Sequence, residues 1–184
     1  MARVIAGRLR GKRFRVPSTG TRPTSDRVRE ALFAALEARG VLRDAVVLDL
    51  YAGSGALGFE ALSRGARRLV AVEASRPAAL VLRANAADLG VAAEVHTQRV
   101  ASFLATGVPV PADLVLLDPP YDLAVDDDLA ALVRRRWLAP GAVVVVERSV
   151  RSAPPVFPDA LLSEPVRRYG DTALWLARVP VDAD

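Results

Sequence analysis

Val46-Val47-Leu48-Asp49-Leu50 runs straight into Tyr51-Ala52-Gly53-Ser54-Gly55-Ala56-Leu57-Gly58. The first five residues are almost wholly apolar and read as a buried strand. The glycines behind them match G-x-G-x-x-G at the entry to a helix. Glycine lets the backbone approach a ligand closely, and the helix N-terminus behind it favours negative groups. The motif by itself is shared with the dinucleotide-binding folds, so the choice rests on what surrounds it.

Downstream the chain alternates strand and helix. The pattern predicts helices over 56–64, 77–89 and 126–136, a short one over 102–104, and strands over 68–73, 93–97, 114–117 and 142–147. Near-continuous apolar strands suit a parallel sheet covered on both faces. Residues 161–169, Gly170-Asp171 and 172–178 read as strand, tight turn, strand, with Pro165 pointing to an edge or a bulge. Upstream, Val4-Ile5, the Gly7-Arg8-Leu9-Arg10-Gly11-Lys12 turn, Phe14 and Val16 predict a short basic β-hairpin. A loop then leads to a helix capped by Ser25 or Thr24 and carrying Val28, Ala31, Leu32, Ala35 and Leu36 at 3-4 spacing. The expected organisation is a hairpin extension over 1–20 on one α/β domain over 21–184.

Two acids narrow the glycine turn's ligand. Glu73 ends the second strand 20 residues after Gly53, placed to accept from ribose hydroxyls. Asp49 stands four residues before Gly53 and matches the Asp/Glu-x-x-x-Gly-x-Gly pattern of enzymes that bind S-adenosylmethionine (SAM). A sulfonium and an ammonium welcome nearby carboxylates. The fold class expected is therefore α/β, a Rossmann-like SAM-dependent methyltransferase fold. Its sheet is a mostly parallel, seven-stranded one that finishes in an antiparallel hairpin.

Asp118-Pro119-Pro120-Tyr121 follows a second buried strand. An exocyclic base amine is a poor nucleophile because its lone pair is delocalised into the ring. It improves when acceptors take both N–H groups. The Asp118 carboxylate and the Pro119 carbonyl can do that, with proline fixing the backbone and Tyr121 stacking on a flipped base. Guanine N2, adenine N6 and cytosine N4 all fit such a site.

Composition limits the alternatives. The chain has 184 residues and no cysteine, which excludes thiolate metal sites and a cysteine nucleophile. One histidine, His96, excludes a multi-histidine metal site and is read as structural. No apolar run approaches the roughly 18 residues of a membrane span, and a soluble, cytoplasmic monomer is expected. Residues 1–30 hold nine basic and two acidic residues, so a +7 end precedes a body of −3. Such asymmetry points to a polyanion. Arg134-Arg135-Arg136 reads as a helix end and solvated face.

The chain resembles the RsmD-type methyltransferases, which modify guanine N2 in small-subunit (16S) ribosomal RNA. The resemblance rests on Arg3-Val4-Ile5-Ala6-Gly7, Arg10-Gly11, Arg22-Pro23-Thr24-Ser25-Asp26-Arg27-Val28-Arg29-Glu30-Ala31-Leu32-Phe33, the Asp49-to-Gly58 stretch, Glu60-Ala61-Leu62-Ser63-Arg64-Gly65 and Asp118-Pro119-Pro120-Tyr121. It implies SAM as cofactor and the small ribosomal subunit or its 16S RNA as partner. Cofactor contacts are expected at Asp49, Ala52, Gly53, Ser54, Gly55, Gly58, Glu73, Ala74, Arg99, Val100 and Asp118. Catalysis is expected at Asp118, Pro119, Pro120 and Tyr121. RNA contacts are expected at Arg3, Arg8, Arg10, Lys12, Arg13, Arg22, Thr24, Arg27 and Arg29. One position departs from the pattern: Arg99 stands where relatives carry an adenine-accepting Asp or Asn, and a guanidinium cannot accept. That leaves the adenine to the Val100 backbone and its neighbours, or shifts the register. The competing readings are an adenine or cytosine methyltransferase, a non-catalytic ribosome-assembly factor that keeps the fold, and a nicotinamide oxidoreductase. The last leaves Asp49 and Asp118 without a role.

Overall fold

The structure, a computed structural model, describes residues 1–17, 25–120 and 122–181. Two short strands, β1 (Ala2–Arg3) and β2 (Arg13–Phe14), pair antiparallel around a 3-10 turn at Gly7–Leu9. The Val4 amide donates to the Lys12 carbonyl at 2.9 Å and the Gly11 amide to the Val4 carbonyl at 2.9 Å, which closes the predicted hairpin. Its apolar side chains Val4, Leu9 and Phe14 are buried in the same core as helices α1 (Asp26–Ala38) and α2 (Ala56–Ser63). Phe14 packs edge-on against Phe59 with ring centroids 5.8 Å apart. Ser25 caps α1, its Oγ accepting from the Val28 amide at 3.3 Å. The alternative cap, Thr24, lies outside the described residues.

The main sheet runs β5 (Glu94–His96), β4 (Arg68–Val72), β3 (Val46–Leu50), β6 (Ala112–Leu117), β7 (Leu138–Ser149), β10 (Thr172–Arg178). The first five are parallel, and β10 is antiparallel to β7. Beyond β10 the expected seventh strand is split into β8 (Leu162–Ser163) and β9 (Arg167–Tyr169), giving eight strands among the described residues. Pro165 falls in the gap, where it lacks the N–H a ladder needs. Strand β7 starts four residues earlier than the sequence predicts. The extension is accommodated by an irregularity against β6 between Ala112 and Leu114.

One face of the sheet packs on α1, α2 and α3 (Arg76–Leu89), the other on α4 (Val100–Thr106) and α5 (Asp126–Arg134). Helix α3 forms where expected: Ser75 Oγ accepts from the Ala78 amide at 3.4 Å, Pro77 sits in the first turn, and Gly90 closes it at φ 69°. From β3 the chain steps to β4 and β5 on one side, then crosses back to β6 and β7 on the other. That reversal makes a crevice at the carboxyl ends of β3 and β6, where open α/β sheets bind ligands.

Candidate active site

The register decides what meets in the crevice. Leu50 of β3 lies opposite Leu117 of β6, so Tyr51-Ala52-Gly53 and Asp118-Pro119-Pro120 leave the sheet side by side. The two motifs, more than sixty residues apart in sequence, become one site.

The turn after β3 is built by backbone geometry. Tyr51, Gly53 and Gly55 have φ of 64°, 55° and 87°. A Cβ on Gly53 would meet nothing within 4 Å, so this glycine faces open space, as a backbone approached by a ligand should. Gly58 does different work. A Cβ there would come within 2.7 Å of the Leu69 methyls and 3.0 Å of Asp49 Oδ2, so glycine lets α2 lie tight on β3 and β4. The Ala52 amide donates to the Val72 carbonyl at 3.0 Å and the Gly55 amide to the Ala52 carbonyl at 2.8 Å. Glu73 clasps the turn from the end of β4. Its Oε2 accepts from the Gly53 amide at 2.8 Å and its Oε1 from the Ser75 amide at 2.7 Å. Ala74 is exposed between them.

Asp49 is 1% exposed and accepts from the Gly58 amide through Oδ2 at 3.0 Å. Burial pushes its carboxyl up to about 8, the nearby Asp118 and Glu73 carboxylates add to the rise, and the Gly58 bond opposes it. Three carboxylates thus gather around the turn, an arrangement that is costly without a cation and favourable with one. Asp118 is half-buried, Pro119 buried, and Pro120 exposed with its carbonyl accepting from the Leu123 amide at 3.0 Å. Tyr121 lies outside the described residues, as do Arg22 and Thr24. Arg99 is the exposed residue before α4 and makes no side-chain cap, while Val100 is 3% exposed as the first residue of that helix. His96 meets Glu94 at 2.8 Å and stacks beside Phe103 at 4.8 Å.

Three residues carry more than their sequence context suggests. Asn85 is fully buried on α3. Its Nδ2 donates to the Ser54 carbonyl at 3.0 Å and the Arg15 carbonyl at 2.9 Å, and its Oδ1 accepts from the Arg15 amide at 2.9 Å. It ties the exit of the hairpin to the glycine turn. A polar residue within the buried stripe Ala78, Ala79, Leu82, Ala86, Leu89 was the available signal. Arg148, at the end of β7, donates through Nη1 to the Leu123 carbonyl at 2.9 Å and so braces the loop behind Asp118. Tyr51 donates its hydroxyl to the buried Asp128 on α5. Burial raises the pKa of both groups, and the shared bond raises that of Tyr51 further while lowering that of Asp128.

The basic N-terminal residues are not all alike. Arg29, expected to meet RNA, is 1% exposed: its Nη2 donates to the Arg3 carbonyl at 2.6 Å and to Asp26 at 2.9 Å, and its guanidinium lies 5.9 Å from the Phe14 ring centre. It joins hairpin to helix and is corrected from RNA contact to internal strut, because the hairpin covers it. Arg3, Arg8, Arg10, Lys12, Arg13 and Arg27 are exposed. Arg3 pairs with Asp26 at 3.0 Å. Arg8 and Lys12 reach the Leu62 and Leu89 carbonyls at 3.4 and 3.3 Å, at the ends of α2 and α3, where cations complement the helix dipole. Those helix ends lie by the amino ends of the strands, away from Asp118. Glu60, fully buried, is the socket for the hairpin, accepting from the Ile5 and Ala6 amides at 2.8 and 3.0 Å.

Beside the Asp118 loop opens a cleft of about 1140 Å³. It lies between the first turn of α1 (Ser25, Arg27, Val28), the loop residues Asp122 and Ala124, and the rim of β7, β9 and β10. Among the described residues no cluster of histidine or carboxylate side chains could hold a metal, and no helix is long and apolar enough to cross a membrane.

A doubly wound sheet with an antiparallel edge, a glycine turn clasped by carboxylates and Asp-Pro-Pro at the neighbouring strand end define a methyltransferase fold. The solved structure of the Escherichia coli protein yhhF shares it at a TM-score of 0.87 and 36% identity, over 98% of this chain and 99% of that one. An RNA methyltransferase from Salinibacter ruber in complex with S-adenosyl-L-homocysteine matches in fold at a TM-score of 0.64 and 23% identity, over 89% of this chain and 97% of its own. Ribosomal RNA small subunit methyltransferase D of Escherichia coli is 41% identical over 159 residues, which is 85% of this chain and 79% of that protein. Its Haemophilus influenzae counterpart is 39% identical over 151 residues, 79% and 77% of the two chains. The family model described as conserved hypothetical protein 95 matches residues 2–178, and the chain belongs to that family, the RsmD family of methyltransferases.

Proposed function

We propose that this protein is a SAM-dependent methyltransferase of small-subunit ribosomal RNA that modifies the N2 amine of a guanine. The observation that carries the reading is the meeting of the Gly53 turn and Asp118 across the Leu50–Leu117 register. The residues present fit the cofactor: Gly53 offers an open backbone, Glu73 and Asp118 are carboxylates beside it, and Asp49, raised to about 8, is a carboxyl whose ionised form a sulfonium or ammonium would favour. Glu73 keeps a second lone pair on each oxygen for ribose hydroxyls. Ala52, Ser54 and Gly55 shape the same turn, Ala74 follows Glu73, and Val100 with Arg99 stands at the adenine end. When bound, SAM supplies an electrophilic methyl group.

The chain's own part is positioning and proton control. Asp118 accepts one N–H of the base amine and the Pro119 carbonyl the other, which localises the nitrogen lone pair. Pro120 and Arg148 hold the loop that carries them, and Tyr121 stacks on the base after it leaves the RNA helix. No covalent intermediate with the protein is needed, so rate comes from alignment and electrostatics. Arg3, Arg8, Arg10, Lys12, Arg13 and Arg27, with Arg22 and Thr24, supply the RNA contacts; the protein acts as a cytoplasmic monomer on 16S RNA or the small subunit.

The test is transfer from labelled SAM to small ribosomal subunits taken from a strain lacking the gene, followed by nucleoside analysis. Label in N2-methylguanosine supports the reading. Label in N6-methyladenosine or N4-methylcytidine, or transfer to DNA alone, overturns the base or substrate assignment. SAM binding without transfer to any nucleic acid points to an assembly factor.

A further inference from the structure

The cleft beside Asp118 has a wall that the N-terminal basic segment does not supply. We infer that this cleft is the channel for the RNA strand carrying the target base, with Arg27 on one side and Arg151 and Arg168 on the other gripping the flanking phosphates. The inference rests on the proposed function and adds the C-terminal half of the sheet to the RNA-binding surface.

Position argues for it first. The cleft is lined by Asp122 and Ala124, which closely follow the Asp118-Pro119-Pro120 loop, so it opens next to the loop that carries the proposed amine acceptors. Its volume, about 1140 Å³, exceeds the roughly 300–1,000 Å³ of a small-molecule pocket and leaves space for more than one nucleotide. Chemistry argues for it second. Arg27, Arg151 and Arg168 are exposed, and no ion pair joins any of them to a carboxylate among the described residues. Arg168 shares a cross-strand row with Ala173 and Arg148, so it projects from the sheet face that also bears the loop-bracing Arg148. The cleft also holds carboxylates and is not uniformly basic. Asp122, Asp126 and Asp171 are exposed on its lining, Asp126 accepting from the Val156 amide at 3.0 Å, while Glu147 is 8% exposed, so the phosphates are gripped at the three arginines and not by a general positive field. A guanidinium fork matches phosphate geometry, which suits a rim that positions a backbone while the base turns inward.

The experiment compares wild type with the double variant Arg151→Glu, Arg168→Glu, and with a control, Arg134→Glu, at the exposed end of α5. Binding to small ribosomal subunits and methyl transfer are measured over a range of salt concentrations, and SAM affinity separately. The expected result is a tenfold or greater loss of subunit binding in the double variant. Each arginine removed should also flatten the slope of log affinity against log salt by about 0.7. SAM affinity and the Arg134 variant should stay near wild type. An unchanged slope in the double variant, with wild type still methylating RNA, overturns the channel and leaves the proposed function standing. Equal losses in the double and control variants overturn it too, since any surface charge would then do. Wild type that binds SAM but neither binds nor methylates the subunits overturns the proposed function and the channel with it.

Discussion

Asp49 Oδ2 accepts the amide of Gly58 at 3.0 Å across the α2–β3 contact, which makes a buried carboxyl both a structural clamp and the floor of the glycine turn. Its carboxyl is raised to about 8 from an ordinary 3.8, so the folded protein holds a proton there that the unfolded chain releases between those values. Stability of the ligand-free protein should therefore fall as pH rises from about 4 toward 8. Asp49→Asn keeps an acceptor for Gly58 and removes the titration, so it should unfold with a flatter pH profile. Thermal midpoints at pH 5.5, 7 and 8.5 check this; superimposable profiles for the two proteins would refute it. A cationic ligand favours the ionised form, so SAM binding should strengthen with pH up to about 8 in wild type and lose that dependence in the variant.

Asp118 lies close enough to raise Asp49, which couples the carboxylate proposed to accept from the base amine to the glycine turn. Asp118→Asn should lower methyl transfer by roughly a hundredfold or more, the scale of losing one preorganised transition-state partner. The same variant should shift the Asp49-dependent step in stability to lower pH. Transfer rates and pH-dependent unfolding in one variant check both. A rate within a fewfold of wild type would remove Asp118 from the chemistry.

Asn85→Ala breaks the three bonds that join Arg15 to Ser54. Leaving those part-buried groups unpaired should cost up to about 1–3 kcal/mol each where water cannot replace the partner. SAM affinity should weaken as well, because the Ser54 carbonyl loses its restraint. Calorimetric titration with SAM at a temperature where the variant is folded separates the two effects. Undiminished SAM affinity would show that Asn85 serves the hairpin alone.

Neutralising Arg8, Arg10, Lys12 and Arg13 together should flatten the salt dependence of RNA binding, since fewer neutralised phosphates release fewer counterions. The fold should survive, because Glu60 and Asn85 hold the hairpin through its backbone. Glu60→Ala is the contrasting case, with the Ile5 and Ala6 amides left unpaired and the hairpin loosened. A salt slope equal to wild type in the neutralised protein would restrict the turn to its bonds with the ends of α2 and α3.

Much of the architecture was legible in the sequence, for local reasons. The strand at Val46–Leu50, the Ser75 cap with Pro77 and Gly90 around α3, and the break at Pro165 each follow from residues within a few positions of one another. The eighth strand and the longer β7 were not legible, because strand ends depend on partners supplied by distant segments.

The sequence by itself determined the class of fold, the two motifs and the family, since hydrophobic period, glycine placement and the acids at strand ends are properties of contiguous residues. Tertiary structure alone decided which charges face solvent and which polar groups join remote segments. Arg29 and Arg27 are two residues apart on one helix, yet the hairpin buries the first and leaves the second on the cleft. Asn85 and Glu60 acquire their roles from backbone groups 70 and 55 residues away. Burial and pairing are set by what the rest of the chain brings alongside, and that is fixed when the sheet registers and the helices close over it.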